Sequence, residues 1–283
     1  MDLAGQPTPR PPEERDPQPE FASALDAPSL FPLGIDFGLL PGLFVAAAPF
    51  DLLFAKLRKY DADVRLVGAE YAEALAAREN FAGATGALAS HAYDHPLIAA
   101  GAGTLLEEIR QQIPGLDTVV VAVGGGLFAG VATAAQHHGV RVVAVDPENC
   151  GALNAALEAG EPVDVPVDSI AADSLGARRT SRMALHAAQQ DRVHSVLVQD
   201  RDIITTRQAL WDHRRVAVEH GAAAALEALL AEPRYDSRWN ALPQPGDPLV
   251  SSRSYQPGNG ERVAVILCGA NTDPSSLTNQ DDL

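Results

Sequence analysis

Short apolar runs alternate with segments of helical periodicity along most of this chain. Valine-rich runs of five to eight residues predict buried strands at "DVRLV", "LDTVVV", "VRVVAV", "HSVLVQD" and "RVAVILCG". Amphipathic or alanine-rich segments predict helices over 69–82, 95–113, 127–137, 151–159, 201–218 and 221–232. Strands that alternate with helices of this length predict an α/β fold with a parallel sheet and helices on both faces.

Three stretches depart from this alternation. Residues 1–31 combine prolines with charges and have no sustained apolar period, so we expect a disordered tail. Gly101 and Gly103 are expected to interrupt the first turns of the helix over 95–113. The Pro/Ser/Gly-rich stretch 233–260 exceeds the usual loop length, which favours a surface insertion over an active-site lid.

Charge and composition exclude several classes of partner. The formal net charge is −16, from 37 acidic and 21 basic residues, whereas nucleic acids and anionic membranes require a basic surface. No segment has the roughly 18–20 consecutive apolar residues of a membrane-spanning helix. The two cysteines, Cys150 and Cys268, form no disulfide framework. We therefore expect a soluble cytoplasmic protein that binds neither nucleic acid nor membrane.

The segment "VAVGGGLFAG", residues 121–130, places three consecutive glycines between a strand and a helix. Glycine there lets main-chain N–H groups approach an anion, and the helix N-terminus favours negative charge. The same glycines are equally compatible with a tight turn that binds nothing. A dinucleotide-binding unit fits less well, because the glycines are contiguous rather than spaced G-x-G-x-x-G, although Asp146 follows at a suitable distance.

Four segments in a fixed order carry a more specific signal: "YDHPLIAAGAGTLLEEI" (93–109), "VVVAVGGGLFAGVATAA" (119–135), "VRVVAVDPENC" (140–150) and "VAVILCGANTDPSSL" (263–277). Together they resemble the serine/threonine dehydratase family of pyridoxal-phosphate enzymes, of fold type II, also described as tryptophan-synthase-β-like. The segments "SIAADSLGARR" (169–179) and "VEHGAAAALEALL" (218–230) are similar to the same family. The resemblance extends from residue 44 to residue 277, with 233–260 set aside.

This resemblance implies a division of the chain into three parts. Residues 1–43 have no likeness to the family and are expected to be divergent. Residues 44–92 would be the remnant of a small α/β domain, which would therefore be incomplete. Residues 93–283 would form the large domain that binds pyridoxal phosphate.

The resemblance also assigns site residues. It directs four main-chain amides at the cofactor's phosphate, those of Gly124, Gly125, Gly126 and Leu127. The family usually has four glycines in this loop, and this chain has three. Cys268 falls beside the pyridine nitrogen, where a neutral thiol makes the ring a weaker electron sink and suits elimination more than transamination. Glu219 matches a glutamate near the ring.

A metal ion is not expected. Asp146 and Cys150 match two positions that hold a divalent cation in some relatives, but Ala152 at the third offers no side-chain ligand. A second group has residue types that can bind a metal, namely His91, Asp94 and His95. These residues are better explained as part of the loop into the next helix.

The lysine on which the family's chemistry depends has no counterpart here. That lysine forms the Schiff base with the cofactor and moves the substrate's α-proton. The chain has only two lysines, Lys56 and Lys59, three apart on one predicted helix, and both are expected to face solvent. No catalytic residue is therefore identified, and a truncated, frame-shifted or degenerate relative would each explain the pattern.

Three functions follow in order of preference. The first is a pyridoxal-phosphate-dependent serine/threonine dehydratase-like lyase, acting on a small amino acid and inactive if the lysine is truly missing. The second is a non-catalytic relative that binds pyridoxal phosphate or another small phosphate. The third is a Rossmann-type oxidoreductase. A homo-oligomer is compatible with each of them.

Overall fold

The chain contains two parallel β-sheets with associated helices. A computed structural model describes residues 21–25, 42–45, 63–67, 71–91, 94–230, 254–270, 272 and 275–278. The strands in these ranges form two four-stranded sheets, and every pair within them is parallel. This arrangement confirms the predicted α/β class. No helix in the described ranges has the length and hydropathy needed to cross a membrane.

The first sheet has the strand order β3-β2-β1-β4. Its elements are β1 (Phe21–Leu25), β2 (Gly42–Val45), β3 (Asp63–Leu66), β4 (Leu88–His91) and the helix α1 (Tyr71–Thr85). The prediction of disorder over 1–31 is wrong for Phe21–Leu25, because β1 pairs with a neighbour on each side. The rest of 1–31, and the helix predicted around Lys56 and Lys59, lie outside the described residues. The domain boundaries stay predictions.

The second sheet has the order β7-β6-β5-β8. Its strands are β5 (Thr118–Ala122), β6 (Arg141–Pro147), β7 (Val193–Val198) and β8 (Val263–Val265). Its helices are α2 (Pro96–Gln112), α3 (Gly126–His138), α4 (Ala152–Ala159), α5 (Ala172–Leu175), α6 (Arg182–Ala188), α7 (Asp200–Arg214), α8 (His220–Leu230) and α9 (Ser275–Thr278). The helix predicted over 201–218 ends earlier, because Arg215 takes a left-handed conformation with φ of 56°.

Helix α2 is continuous, so the expected interruption at Gly101 and Gly103 is wrong. Gly103 serves packing instead, whereas Gly101 is exposed and has no described atom within 4 Å of its Cβ position. A Cβ atom on Gly103 would lie 2.9 Å from the carbonyl oxygen of Gly130 in α3, and one on Gly130 would lie 2.0 Å from the carbonyl oxygen of Ala99. The two helices therefore meet backbone to backbone, and this contact offsets the low helix propensity of glycine.

The second sheet is covered on both faces by apolar side chains. Val119 and Val121 of β5 pack with Leu106 and Phe128 on the face that α2 and α3 cover. Val120 and the alternate residues of β5 and β6 pack with α7 and with the alanine-rich helix α8 on the other face. Burial on both faces explains why β5 and β6 are near-continuous apolar runs rather than alternating ones.

A polar cluster lies at the amino edge of the second sheet, opposite the end where the glycines lie. We define this amino-edge cluster as Thr118, Arg141, Tyr255 and Glu261. Arg141 donates to the Tyr255 hydroxyl at 2.7 Å and to Glu261 Oε1 at 2.8 Å. The Tyr255 amide donates to Ala228 O at 2.7 Å. The cluster thus fixes the end of the 233–260 stretch, whose residues 233–253 lie outside the described part.

Candidate cofactor site

The glycine loop lies at the carboxyl edge of the second sheet. It connects β5, which ends at Ala122, to α3, which begins at Gly126. Gly125 caps this helix with φ of 54° and ψ of −95°, a conformation that favours glycine, and no side chain caps the helix. Strands β6 and β8 flank β5 in parallel, so their carboxyl ends face the same edge.

The loop leaves open space beside its backbone. A Cβ atom on Gly124 would have no atom of the described residues within 4 Å. The loop also has internal hydrogen bonds, since the Gly124 amide donates to Ala122 O at 3.0 Å and the Leu127 amide donates to Gly124 O at 3.3 Å. Two of the four amides that the resemblance directs at a phosphate therefore have partners within the chain.

Cys268 and Glu219 come together at the end of β8. The Glu219 amide donates to Gly269 O at 3.1 Å. Gly269 has φ of 81°, and a Cβ atom on it would lie 2.5 Å from Glu219 Oε2, so the carboxylate lies directly against the Gly269 backbone. Burial and, second, the Glu219 charge raise the pKa of the Cys268 thiol to about 11. Cys268 is therefore a neutral thiol at physiological pH.

The hydroxyl of Ser174 supports the start of α8 from outside the site. Its Oγ accepts a hydrogen bond from the Gly221 amide at 3.1 Å, and a Cβ atom on Gly221 would lie 2.6 Å from that oxygen. Ser174 lies in the "SIAADSLGARR" segment, so the resemblance pointed to the segment but not to this contact.

Asp146 lies near the carboxyl end of β6, and Cys150 lies three residues beyond the end of the strand. Asp146 Oδ2 accepts the Leu153 amide at 3.2 Å, so the carboxyl caps the first turn of α4. Burial raises the pKa of Asp146 to about 7, and burial together with the Asp146 charge raises that of Cys150 to about 12. Ala152 begins α4 and is buried. Over the described ranges, no three acidic, histidine or cysteine side chains form a metal-binding group.

The residues singled out before α2 lie at the end of β4, in the following loop and at the helix N-cap. His91 ends β4, and Asp94 is exposed in the loop that follows. His95 is the N-cap of α2, where its Nδ1 accepts the Leu97 amide at 3.2 Å. The structure thus gives His95 a capping contact at the entry to the helix.

Comparisons with known proteins show the family to which the chain is similar. A family model described as pyridoxal-phosphate dependent enzyme matches residues 53–239. A serine dehydratase-like protein of Mus musculus is 33% identical over 223 residues, which are 76% of this chain and 63% of that protein. The biosynthetic L-threonine dehydratase of Salmonella typhimurium is 31% identical over 229 residues, 80% of this chain and 41% of that protein. The chain thus spans less than two thirds of these relatives' length.

Solved structures show the same fold. Maize serine racemase superposes with a TM-score of 0.74 at 22% identity, covering 92% of this chain and 75% of that chain. Threonine deaminase isoform 2 from Solanum lycopersicum superposes with a TM-score of 0.71 at 23% identity, covering 92% of this chain and 67% of that chain. These likenesses support the architecture of the two sheets.

Proposed function

Because the chain belongs to the family of pyridoxal-phosphate-dependent enzymes, we propose that it is a serine/threonine dehydratase-like lyase. Such a lyase eliminates water from a β-hydroxy amino acid and releases a 2-oxo acid and ammonia. The names of the mouse and Salmonella relatives support this reaction class. A homo-oligomeric state and a cytoplasmic location remain predictions from the sequence.

The observation that carries the proposal is the open space beside the glycine loop. A phosphate group needs backbone that it can approach closely, and Gly124 has no described atom within 4 Å of its Cβ position. The uncapped N-terminus of α3 provides N–H groups and a favourable helix dipole at the same place. These features support a phosphate site at the loop, although the Gly124 and Leu127 amides already donate within the chain.

Cys268 fits the ring of the cofactor. When bound, pyridoxal phosphate supplies a ring that withdraws electrons from the substrate's α-carbon. A protonated thiol can donate a hydrogen bond to a ring nitrogen but cannot keep that nitrogen protonated as a carboxylate could. Glu219 helps to keep the thiol in this neutral form through its negative charge. This pair supports elimination more than transamination.

No lysine lies in the part of the chain that the structure describes, and the sequence has only Lys56 and Lys59. A second candidate function follows from this observation: a non-catalytic relative that binds pyridoxal phosphate or another small phosphate without turning over an amino acid. Both candidates use the same glycine loop. They differ in whether any group moves the substrate's α-proton.

The test compares the wild type with Gly124→Ala and with the control Gly101→Ala, whose exposed Cβ position on α2 also has no described atom within 4 Å. We expect the wild type to bind pyridoxal phosphate in competition with inorganic phosphate. Gly124→Ala should bind it about tenfold more weakly or worse, because a methyl group takes up space beside the loop. Gly101→Ala should bind it normally.

Equilibrium dialysis measures binding, and circular dichroism confirms that each variant is folded. Equal affinity in all three proteins would contradict the loop assignment. Release of a 2-oxo acid from L-serine or L-threonine by the wild type, with saturating cofactor, then distinguishes a lyase from a binding protein.

A further inference from the structure

Arg207 lies on α7, outside the candidate site, yet its side chain joins two segments that form the site. It is 7% exposed. Its Nε donates to Val218 O at 2.9 Å, and its Nη2 donates to Thr272 Oγ1 at 2.5 Å and to Ser276 Oγ at 2.9 Å. A single guanidinium therefore holds the entrance to α8 and the chain that follows β8.

The acceptors of Arg207 lie next to the site residues. Val218 directly precedes Glu219, and Thr272 follows Cys268 by four residues. The Glu219 amide donates to Gly269 O at 3.1 Å, which joins the same two segments directly. Arg207 and this backbone hydrogen bond thus close a ring of contacts that includes Glu219 and Gly269, and Cys268 directly precedes Gly269.

A guanidinium is suited to this position. Its planar fork presents donors in fixed directions, whereas a lysine ammonium is a single charge on a flexible stem. Burial lowers the pKa of Arg207, while the charge of Asp173 acts in the opposite direction. A buried cation is costly unless hydrogen bonds satisfy it, and these three bonds supply that compensation. Its neighbour Gln208 adds a bond from Nε2 to Leu277 O at 3.2 Å.

We infer that Arg207 is a positioning residue that holds Glu219 against the Cys268–Gly269 backbone. Its consequence for cofactor binding rests on the proposed function. Without the fork, the segment after β8 keeps the Gln208–Leu277 bond to α7, and the Glu219 carboxylate is held less firmly at Gly269. The Cys268 thiol then gains access to water and loses its negatively charged neighbour.

Alkylation of Cys268 by iodoacetamide tests this inference without any cofactor. Cleavage after Arg262 gives a C-terminal peptide, 263–283, that contains Cys268 but not the buried Cys150, so mass spectrometry follows Cys268 alone. The rate depends on the thiolate fraction and on access. Arg207→Met should therefore be alkylated about tenfold faster or more at mildly alkaline pH, which corresponds to a thiol pKa about one unit lower.

The matched control is Arg201→Met, the same substitution on the same helix at a side chain that is 65% exposed. A double variant, Thr272→Val with Ser276→Ala, removes two acceptors of the fork and serves if Arg207→Met does not fold. We expect the double variant to react several times faster than the control. Rates within about twofold of the control in folded variants would overturn the inference. A purely structural role of Arg207 would change the melting temperature but not the alkylation rate of Cys268.

The same proteins distinguish the inference from the proposed function. If Cys268 reacts faster as expected but the wild type binds no pyridoxal phosphate, the positioning role stands and the proposed function fails. If the wild type binds pyridoxal phosphate and the reactivity of Cys268 is unchanged in the variants, the positioning role alone fails.

Discussion

Gly130→Ala adds one methyl group to α3, and we expect it to be among the most destabilising such changes in the helices that pack on the second sheet. Its Cβ atom would lie 2.0 Å from Ala99 O, 2.8 Å from the Gly103 nitrogen and 3.0 Å from the Ala99 carbonyl carbon. All three atoms belong to the backbone of α2, so no side-chain rotation can relieve the overlap. The helices would have to separate by about 1–1.5 Å to restore ordinary contact.

Two opposing effects set the change in the free energy of unfolding. Alanine improves the helix propensity of α3 by about 1 kcal/mol relative to glycine. Overpacking in a dense interior costs about 1–3 kcal/mol, and separating the helices also opens space around the fully buried Leu106 and Phe128. Because the overlap is with backbone that cannot rotate away, the cost should lie in the upper half of this range, and we expect a net loss of about 1–2 kcal/mol in the free energy of unfolding.

Urea unfolding followed by circular dichroism measures this loss. Gly101→Ala is the control, because it adds the same methyl to α2 at an exposed position with no described atom within 4 Å. The control should gain about 0.5–1 kcal/mol. If Gly130→Ala is as stable as the wild type, the backbone contact between α2 and α3 is wrong.

Two further predictions concern turnover and pH. Release of a 2-oxo acid by this chain should be at least about a thousandfold slower than by dehydratases that carry the Schiff-base lysine. The double variant Lys56→Ala/Lys59→Ala should not change this rate. Robust turnover that the double variant loses would make one of these lysines catalytic. Although burial acts to raise the pKa of Glu261, hydrogen bonds within the amino-edge cluster lower it from 4.5 to about 2. Glu261→Gln should therefore be up to about 2–3 kcal/mol less stable than the wild type above pH 4.5, and this difference should shrink as pH falls towards 2. Urea unfolding measures the difference, and a value independent of pH would contradict the lowered pKa of Glu261.

Local sequence patterns predicted most elements of the second sheet because the residues of each element prefer the structure that they adopt. The β-branched residues of "LDTVVV" and "VRVVAV" favour strands, and their lack of alternation indicates burial on both faces. Once the strands are parallel, the glycine loop must lie at their carboxyl edge, where ligands bind in such sheets. The place of the loop therefore followed from the pattern.

The errors arose where a distant contact outweighs local preference. Gly101 and Gly103 lower the helix propensity of α2, but the backbone contact between Gly103 and Gly130 offsets part of this loss, and no local pattern shows that contact. Phe21–Leu25 has four apolar residues and Ser23 among flanking prolines and charges, and it becomes a strand because parallel neighbours lie on both sides. In both cases the deciding partner is far away in sequence.

Arg207, beside the candidate site, shows the same limit. Arg207 and Arg201 lie six residues apart in the same polar helix, yet one is buried and the other exposed. Only the pairing of β8 beside β5 brings Cys268 to the glycine loop's edge, and only the return of α8 brings Glu219 to Gly269. The candidate site is thus built from backbone amides and a neutral thiol, and the proposed function assigns them to a phosphate and a ring. Because that assignment uses no lysine, we expect cofactor binding to persist where turnover is lost.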